Sequence, residues 1–458
     1  MSTDPVVIVG AGACGLICAL RLKALGVETI VIERDTTPSG STALSSGFIP
    51  AAATRVQRSL GIADSFEMFE YDIQHKACGQ APHHLVRAFV QAVASAINWL
   101  EASHSFEFEV LDGFLYPGHL VRRMHTLPQR TGAALMARLL NTAAQEQIVI
   151  LGESRVDSLI AVAGSVTGLR YQTPDGSIES LHARAVMLAC NGYGGNTDMV
   201  RRYIPEMAEA VFAGHTGNDG SALRWGVSLG ALTADLSAYQ GHGSWATPQG
   251  ALISWALMME GGIQVNAEGE RFHDETRGYS EAAVAVLAQP GRVAWNVIDE
   301  QGLQLARSFP DFVEAEKAGA IKPLVGHGEL DAESVIETIK RFARATCSPG
   351  AIVQEKPDEA HFGRVCKRPL IGPFYLIKVT GALFHTQGGL EVDSECRVLK
   401  AHAGLLAGSP EFIPGLWAGG GAARGVSGRT VEGYLSGNGL LSAIAGGWIA
   451  AQSIASQR

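Results

Sequence analysis

Residues 5–34, PVVIVGAGACGLICALRLKALGVETIVIER, constrain the fold more than any other stretch. VVIV is a continuous apolar run, as a parallel strand buried on both faces requires. Gly10, Gly12 and Gly15 follow in GxGxxG spacing and open an apolar helix, after which ETIVIE reads as a second strand ending in Glu33. Such a βαβ unit is built for a dinucleotide. Its glycines allow a tight turn, backbone approach to a pyrophosphate and close helix–sheet packing. The helix N-terminus aims N–H groups at phosphate, and the acid accepts from ribose hydroxyls. Ala13, Cys14 and Arg34 fall in the same expected cofactor-binding stretch.

Two later stretches separate FAD from NAD. SGSTALSSGFIP (39–50) is a loop of small residues, with Ser41, Thr42, Ser45, Ser46 and Gly47 placed to lie under a flat ring system. VMLACNGYGGN (186–196) is another buried strand running into a glycine-rich turn that carries Asn191 and Gly192. An NAD domain has no need of either, whereas a protein wrapped round an extended FAD needs both.

At 458 residues the chain is long enough for two domains. Its 47% hydrophobic and 18% charged residues describe a well-buried globular protein. A formal charge of −9, with no basic block, argues against nucleic acid as a partner. Seven cysteines are scattered and never spaced CxxC, which predicts reduced thiols of a cytoplasmic protein and no metal site. VVIVGAGACGLICAL follows no positive n-region and is not expected to be a signal peptide. GLLSAIAGGWIAAQSIA approaches membrane-span length, but Gly, Ser and Gln dilute it, so a buried C-terminal helix and no membrane span are expected.

GSTALSSGF, ACNGYGGN, TGNDGSALRWGVSLGA, GGIQVNAEGERFHDE, FHTQGGLEVD, IPGLWAGGG and SGNGLLSAIAGGWIA follow the nucleotide motif in this order. Together they resemble the flavoprotein family of fumarate reductase and succinate dehydrogenase, whose relatives include 3-ketosteroid dehydrogenase, urocanate reductase and tricarballylate dehydrogenase. The resemblance covers nearly the whole chain. It implies an α/β Rossmann-type FAD-binding domain built from both chain ends (1–235 and 366–458), with an α+β cap inserted at 236–365. Helical periodicity in AESVIETIKRFARA suits such an insertion. It also implies cofactor contacts at Asp219, Gly420, Gly421, Asn438, Leu440 and Leu441. No histidine stands in GSTALSSGF, so FAD is expected to be non-covalent. No haem motif is present, so electrons are expected to pass to or from a separate donor or acceptor. Gly421 occupies the place of a flavin-contacting glutamate in many members.

The chemistry that the resemblance implies is hydride transfer between flavin N5 and a C–C bond beside a carbonyl. A side chain moves a proton at the neighbouring carbon, and preorganised donors hold the developing enolate. His385, in ALFHTQGG, stands where the reductases carry a substrate-binding histidine, and the amides of Gly388 and Gly389 are expected to hold the enolate beside it. His242 in YQGHGS matches a second substrate-facing histidine, and Ser254 matches a hydroxyl that meets substrate. The proton relay departs from fumarate reductase: Trp255 and Met258 stand at its two upstream positions, and neither relays a proton. Tyr279 or Arg277 takes the place of the catalytic arginine, according to the alignment gap. Arg271 and Glu275 are expected to be a structural ion pair. Tyr434, in GYLSG, replaces a carboxylate-clamping arginine and resembles the Tyr-x-Ser-Gly of ketosteroid 4-dehydrogenase relatives. Arg429 or Arg424 upstream remains a candidate clamp. Read without the resemblance, a strand-end histidine can serve only the backbone, and a tyrosine at a glycine-rich turn can point its hydroxyl at water.

The resulting expectation is a flavoenzyme that reduces or oxidises a C–C bond next to the carbonyl of a small-molecule substrate, an enone reductase or ketone dehydrogenase. Two alternatives stand beside it. One is a di- or tricarboxylate enzyme with Arg429 or Arg277 as clamp, which AQPGRVAWNVID, similar to the tricarballylate dehydrogenase branch, keeps open. The other is a non-catalytic flavin-binding interaction module.

Overall fold

The computed structural model describes residues 4–457 apart from 113, 327, 347–361, 363, 365–367 and 402–410. Val6–Val9 (β1), Ala13–Ala24 (α1) and Thr29–Ile32 (β2) form the expected βαβ unit. β1 lies in parallel between β2 and the strand Ala185–Leu188. The six-stranded sheet runs, in order, Arg397–Lys400, Glu411–Ala418, Ala185–Leu188, β1, β2 and Val149–Leu151, and only its Arg397–Lys400 edge is antiparallel. β1 and Ala185–Leu188 are buried along their whole length, which is why each reads as an unbroken apolar run. α1 packs against the terminal helix Asn438–Ser456, which the helix His83–His104 also covers. By length and composition that terminal helix could cross a membrane, and 67% of its apolar window is buried inside the protein.

Gly15 fixes how closely α1 meets the turn before it. A Cβ there would stand 1.9 Å from the Gly10 carbonyl oxygen, so any side chain pushes the helix off the sheet. Gly15→Ala is expected to cost about 1–3 kcal/mol of stability, as overpacking does. The variant should also purify with less flavin. Thermal melting and visible flavin absorbance per protein read the two effects; an unchanged melt would show that the turn yields without strain.

The cap is a mixed sheet in the order Ala251–Leu252, Tyr239–Ala246, Phe374–Thr386, Val293–Asp299, Ile263–Val265, with Val211–Phe212 and Ile321–Pro323 also paired to the long strand Phe374–Thr386. This strand corrects the expected boundary at 365/366. It exchanges ladder bonds with Tyr239–Ala246 and Val293–Asp299, so the cap sheet runs on to Thr386, while 365 and 366 lie outside the described residues. The helix Ala332–Thr346 coincides with the stretch whose periodicity predicts it. Cys14, Cys18, Cys78, Cys190 and Cys396 are unpaired; Cys347 and Cys366 lie outside the described residues.

Arg271 and Glu275 are the expected ion pair, and a third member completes it. Glu275 Oε2 also accepts from Arg364 Nη1 at 2.8 Å, and all three side chains are fully buried. Trp255 donates its indole N–H to the Glu275 carbonyl at 2.9 Å, which ties this cluster to the cavity wall described next.

Candidate active site

Two connected chambers run from the glycine-rich turn of β1 to the cap, sharing Ser41, Thr42, Asn191, Gly420 and Gly421 in their walls. Gly10, Gly12, Ala13, Cys14, Glu33, Arg34 and Asp219 line the outer chamber. A Cβ on Gly12 would meet nothing nearer than the Thr42 hydroxyl at 3.6 Å, so this glycine presents bare backbone to the chamber. The first-turn amides of α1 lack intrahelical acceptors, as pyrophosphate binding needs. Glu33 accepts from Ala11 N–H at 2.8 Å and from Asp35 N–H at 3.0 Å. Each of its oxygens keeps a second lone pair for a ribose hydroxyl. Thr42 Oγ1 accepts from Ala13 N–H, and Ser41 Oγ accepts from the amides of Asn191 and Asn218, which fixes the loop under the ring position. Ser45, Ser46 and Leu440 line the inner chamber. These residues fit FAD. Gly421 also has a physical reason to depart from glutamate: a Cβ there would lie 2.1 Å from Asn191 Oδ1.

The inner chamber brings together side chains from five separate stretches: Gln240 and His242, Ser254, Tyr279, His385, and Tyr434 with Ser436. Antiparallel pairing sets Gln240 opposite His385. Tyr434 Oη donates to Gln240 Oε1 at 3.0 Å. The Tyr279 ring stands edge-on to Tyr434 at 6.1 Å and stacks on His242 at 4.8 Å. Tyr279, Tyr434 and Ser436 share one wall of the chamber. Burial raises both phenols well above the usual tyrosine value, so both are protonated.

Burial also keeps the histidines neutral, pushing His242 down to about 3 and His385 to about 4. His242 Nδ1 accepts from Ser244 N–H at 3.1 Å, which leaves the ring proton on Nε2. His385 is set by a longer chain. Asn438 Nδ2 donates to Ser427 Oγ (2.9 Å), Ser427 donates to Gln387 Oε1 (2.7 Å), and Gln387 Nε2 lies 3.2 Å from His385 Nδ1. His242 therefore presents an Nε2–H donor, while His385 Nδ1 accepts from the Gln387 amide or donates to the Thr386 carbonyl at 3.3 Å according to its tautomer.

Several expected contacts are corrected. Arg277 is exposed, its carbonyl taken by Lys76, and Arg429 has a 73% exposed side chain beside Asp235; neither lines the cavity. Arg424 is spent on Asp235 and Glu391. Gly388 and Gly389 pack against the backbone of Asp235 and of Ala422–Ala423 and lie outside both chambers. So do Gly15, Gly47 against the Thr131 carbonyl, Gly192 against the Thr386 hydroxyl, and the buried Leu441. Asn438 acts through Ser427 and not on the cavity directly. Trp255, set aside as unable to relay a proton, forms the wall, whereas Met258 is core. Tyr116 was missed: it lines the cavity, its ring 6.5 Å from Tyr279.

A two-part fold with a nucleotide chamber opening under a cap defines an FAD-dependent oxidoreductase. The profile of the family described as FAD binding domain matches residues 5–440, and the chain belongs to that family. It is 27% identical to the NADH:fumarate oxidoreductase of Klebsiella pneumoniae (strain 342) over 414 residues, 88% of this chain but 43% of that protein, so it spans less than half that relative's length. The fumarate reductase (cytochrome) of Shewanella frigidimarina is 26% identical over 459 residues, 99% of this chain and 77% of its own. In fold, the chain is similar to the open conformation of a flavocytochrome c3 fumarate reductase (TM-score 0.79, 24% identity, 99% and 78% covered). It is similar also to the 3-ketosteroid-delta4-(5alpha)-dehydrogenase of Rhodococcus jostii RHA1 (TM-score 0.73, 23% identity, 98% and 96% covered).

Proposed function

We propose that the protein reduces the C–C double bond of a neutral α,β-unsaturated ketone, and in reverse oxidises the saturated ketone. The observation that carries this reading is the lining of the inner chamber: two protonated phenols and two neutral histidines converge there, and among the described residues no arginine or lysine lines it. A dicarboxylate, the substrate class for which the fumarate reductase relatives are named, needs a cationic clamp. FAD, when bound, supplies the hydride exchange. Tyr434 and Tyr279 hold a proton on a phenol oxygen, and the Nε2–H of His242 adds a donor for a carbonyl oxygen gaining charge, with the neutral His385 ring beside it. Trp255, Phe384 and Tyr116 exclude water and strengthen each of those interactions. Protonated phenols suit donation, which favours reduction as the working direction. Electrons then come from a separate carrier, in a protein we read as cytoplasmic.

The test is anaerobic reoxidation of the photoreduced flavin by fumarate, cis-aconitate, urocanate and cyclic enones. Rapid reoxidation by enones alone is expected. Reoxidation by a di- or tricarboxylate alone would refute the reading and return attention to Arg277 and Arg429.

A further inference from the structure

The mouth of the inner chamber carries one carboxylate that the reading above does not use. Asp311 lines the cavity yet is exposed, as is Leu44, so the two mark where the chamber opens to solvent. Phe309 and Leu252 flank this opening, and Phe309 stands edge-on to Phe114 at 6.0 Å, so the rim is otherwise apolar. Among the described residues Asp311 makes no ion pair or hydrogen bond, and with both histidines neutral it is the only charged side chain on the described lining. Partial burial raises its carboxyl above the ordinary aspartate value.

We propose that Asp311 is a specificity-determining residue. It favours ketone substrates that carry a hydrogen-bond donor, a hydroxyl or a protonated amine, at the end remote from the reacting bond, and it turns away substrates with a carboxylate there. The physical basis is direct. An unpaired carboxylate at an apolar rim gains from any donor brought to it, and like charge meeting like charge in partly desolvated surroundings costs far more than it does in water. The cap supplies this group from the first turn of the helix Pro310–Lys317. A carboxylate in a first helical turn also favours the helix itself. The experiment must therefore separate selection from folding.

The inference rests on the enone reading, and one set of measurements distinguishes the two. Cyclic enones bearing an alcohol, an amine or a carboxylate on linkers of one to three carbons would be compared with the unsubstituted ring, as kcat/KM for the flavin-loaded enzyme. Asp311→Asn keeps the side chain's shape and removes its charge; Asp311→Lys inverts the charge. In wild type the amine should exceed the carboxylate by about tenfold or more. That ratio, taken within each protein, should collapse in Asp311→Asn and reverse in Asp311→Lys. The alcohol arm shows whether neutral hydrogen bonding suffices, because its advantage over the bare ring should fall in both variants. A helix-stabilising role alone would shift the melting temperature and leave every ratio in place, and that result overturns the inference. If wild type turns over no enone at all, the enone reading falls and the inference with it.

Discussion

Tyr434→Phe should slow enone-driven reoxidation of the reduced flavin by about 10²–10⁴, the range lost when a positioned proton donor is removed. The flavin itself should stay bound, because the outer chamber is untouched. Tyr279→Phe should have a comparable effect, since its ring stands edge-on to Tyr434 and the residue lines the same cavity. The informative variant is the double one. Two groups that act as a unit are not additive, so removing both hydroxyls should cost little more than the worse single loss. If the losses multiply instead, the tyrosines serve separate steps, one at the carbonyl and one at carbon. Stability gives an internal control. Tyr434→Phe leaves Gln240 Oε1 without its partner and should cost about 1 kcal/mol, too little to explain a catalytic loss of this size. Reoxidation within threefold of wild type in both single variants would exclude the phenols as donors.

The legible and illegible parts of this site divide by how far apart in sequence their partners lie. β1, α1 and β2 are local: an unbroken apolar run, glycines at fixed spacing and a terminal acid each state their requirement within thirty residues. The cap boundary is not local. FYLIKVTGALFHT has an apolar pattern that suits either domain, and what assigns it to the cap is pairing with strands some eighty to one hundred and forty residues upstream. Tyr116 shows the same limit more sharply. The loop around it has no periodicity, and its place in the cavity depends on Phe48 and Tyr279 reaching it from elsewhere. Arg277 against Tyr279 was undecidable by counting. The helix Tyr279–Leu287 begins at the tyrosine, so Tyr279 is buried in the wall and Arg277, two residues earlier, is left at the surface. Arg429, a second lost candidate, lies in an exposed groove beside Asp235, where no sequence pattern distinguishes it from a clamp.

Glu275→Gln is expected to destabilise the protein by about 3–5 kcal/mol, the cost of leaving a buried charge uncompensated. Here two buried guanidinium groups lose the carboxylate that they share. Arg271 Nε donates to Glu275 Oε1 at 3.0 Å, Arg364 Nη1 donates to Oε2 at 2.8 Å, and Gln264 N–H reaches Oε1 at 2.9 Å. Arg364 also donates to the carbonyls of Met258 and Gly262, so the cluster fastens position 364 beneath the turn that carries Ser254 and Trp255. The two guanidinium groups hold the Glu275 carboxyl well below the ordinary carboxylate range in spite of burial. The sign of the pH dependence follows. A depressed folded-state pKa contributes stability that is fully present above the unfolded value of about 4.3 and is lost as pH falls towards the folded value. Wild type should therefore weaken steeply below about pH 4, while Glu275→Gln starts lower at neutral pH and falls with a shallower slope. Urea melts across that range measure both. A neutral-pH loss under about 1 kcal/mol would mean that solvent or another group takes over the two arginines. Because Trp255 bonds the Glu275 carbonyl and walls the cavity, substrate KM should rise in the folded fraction of the variant, carrying a packing defect in the cap to the chemistry beside it.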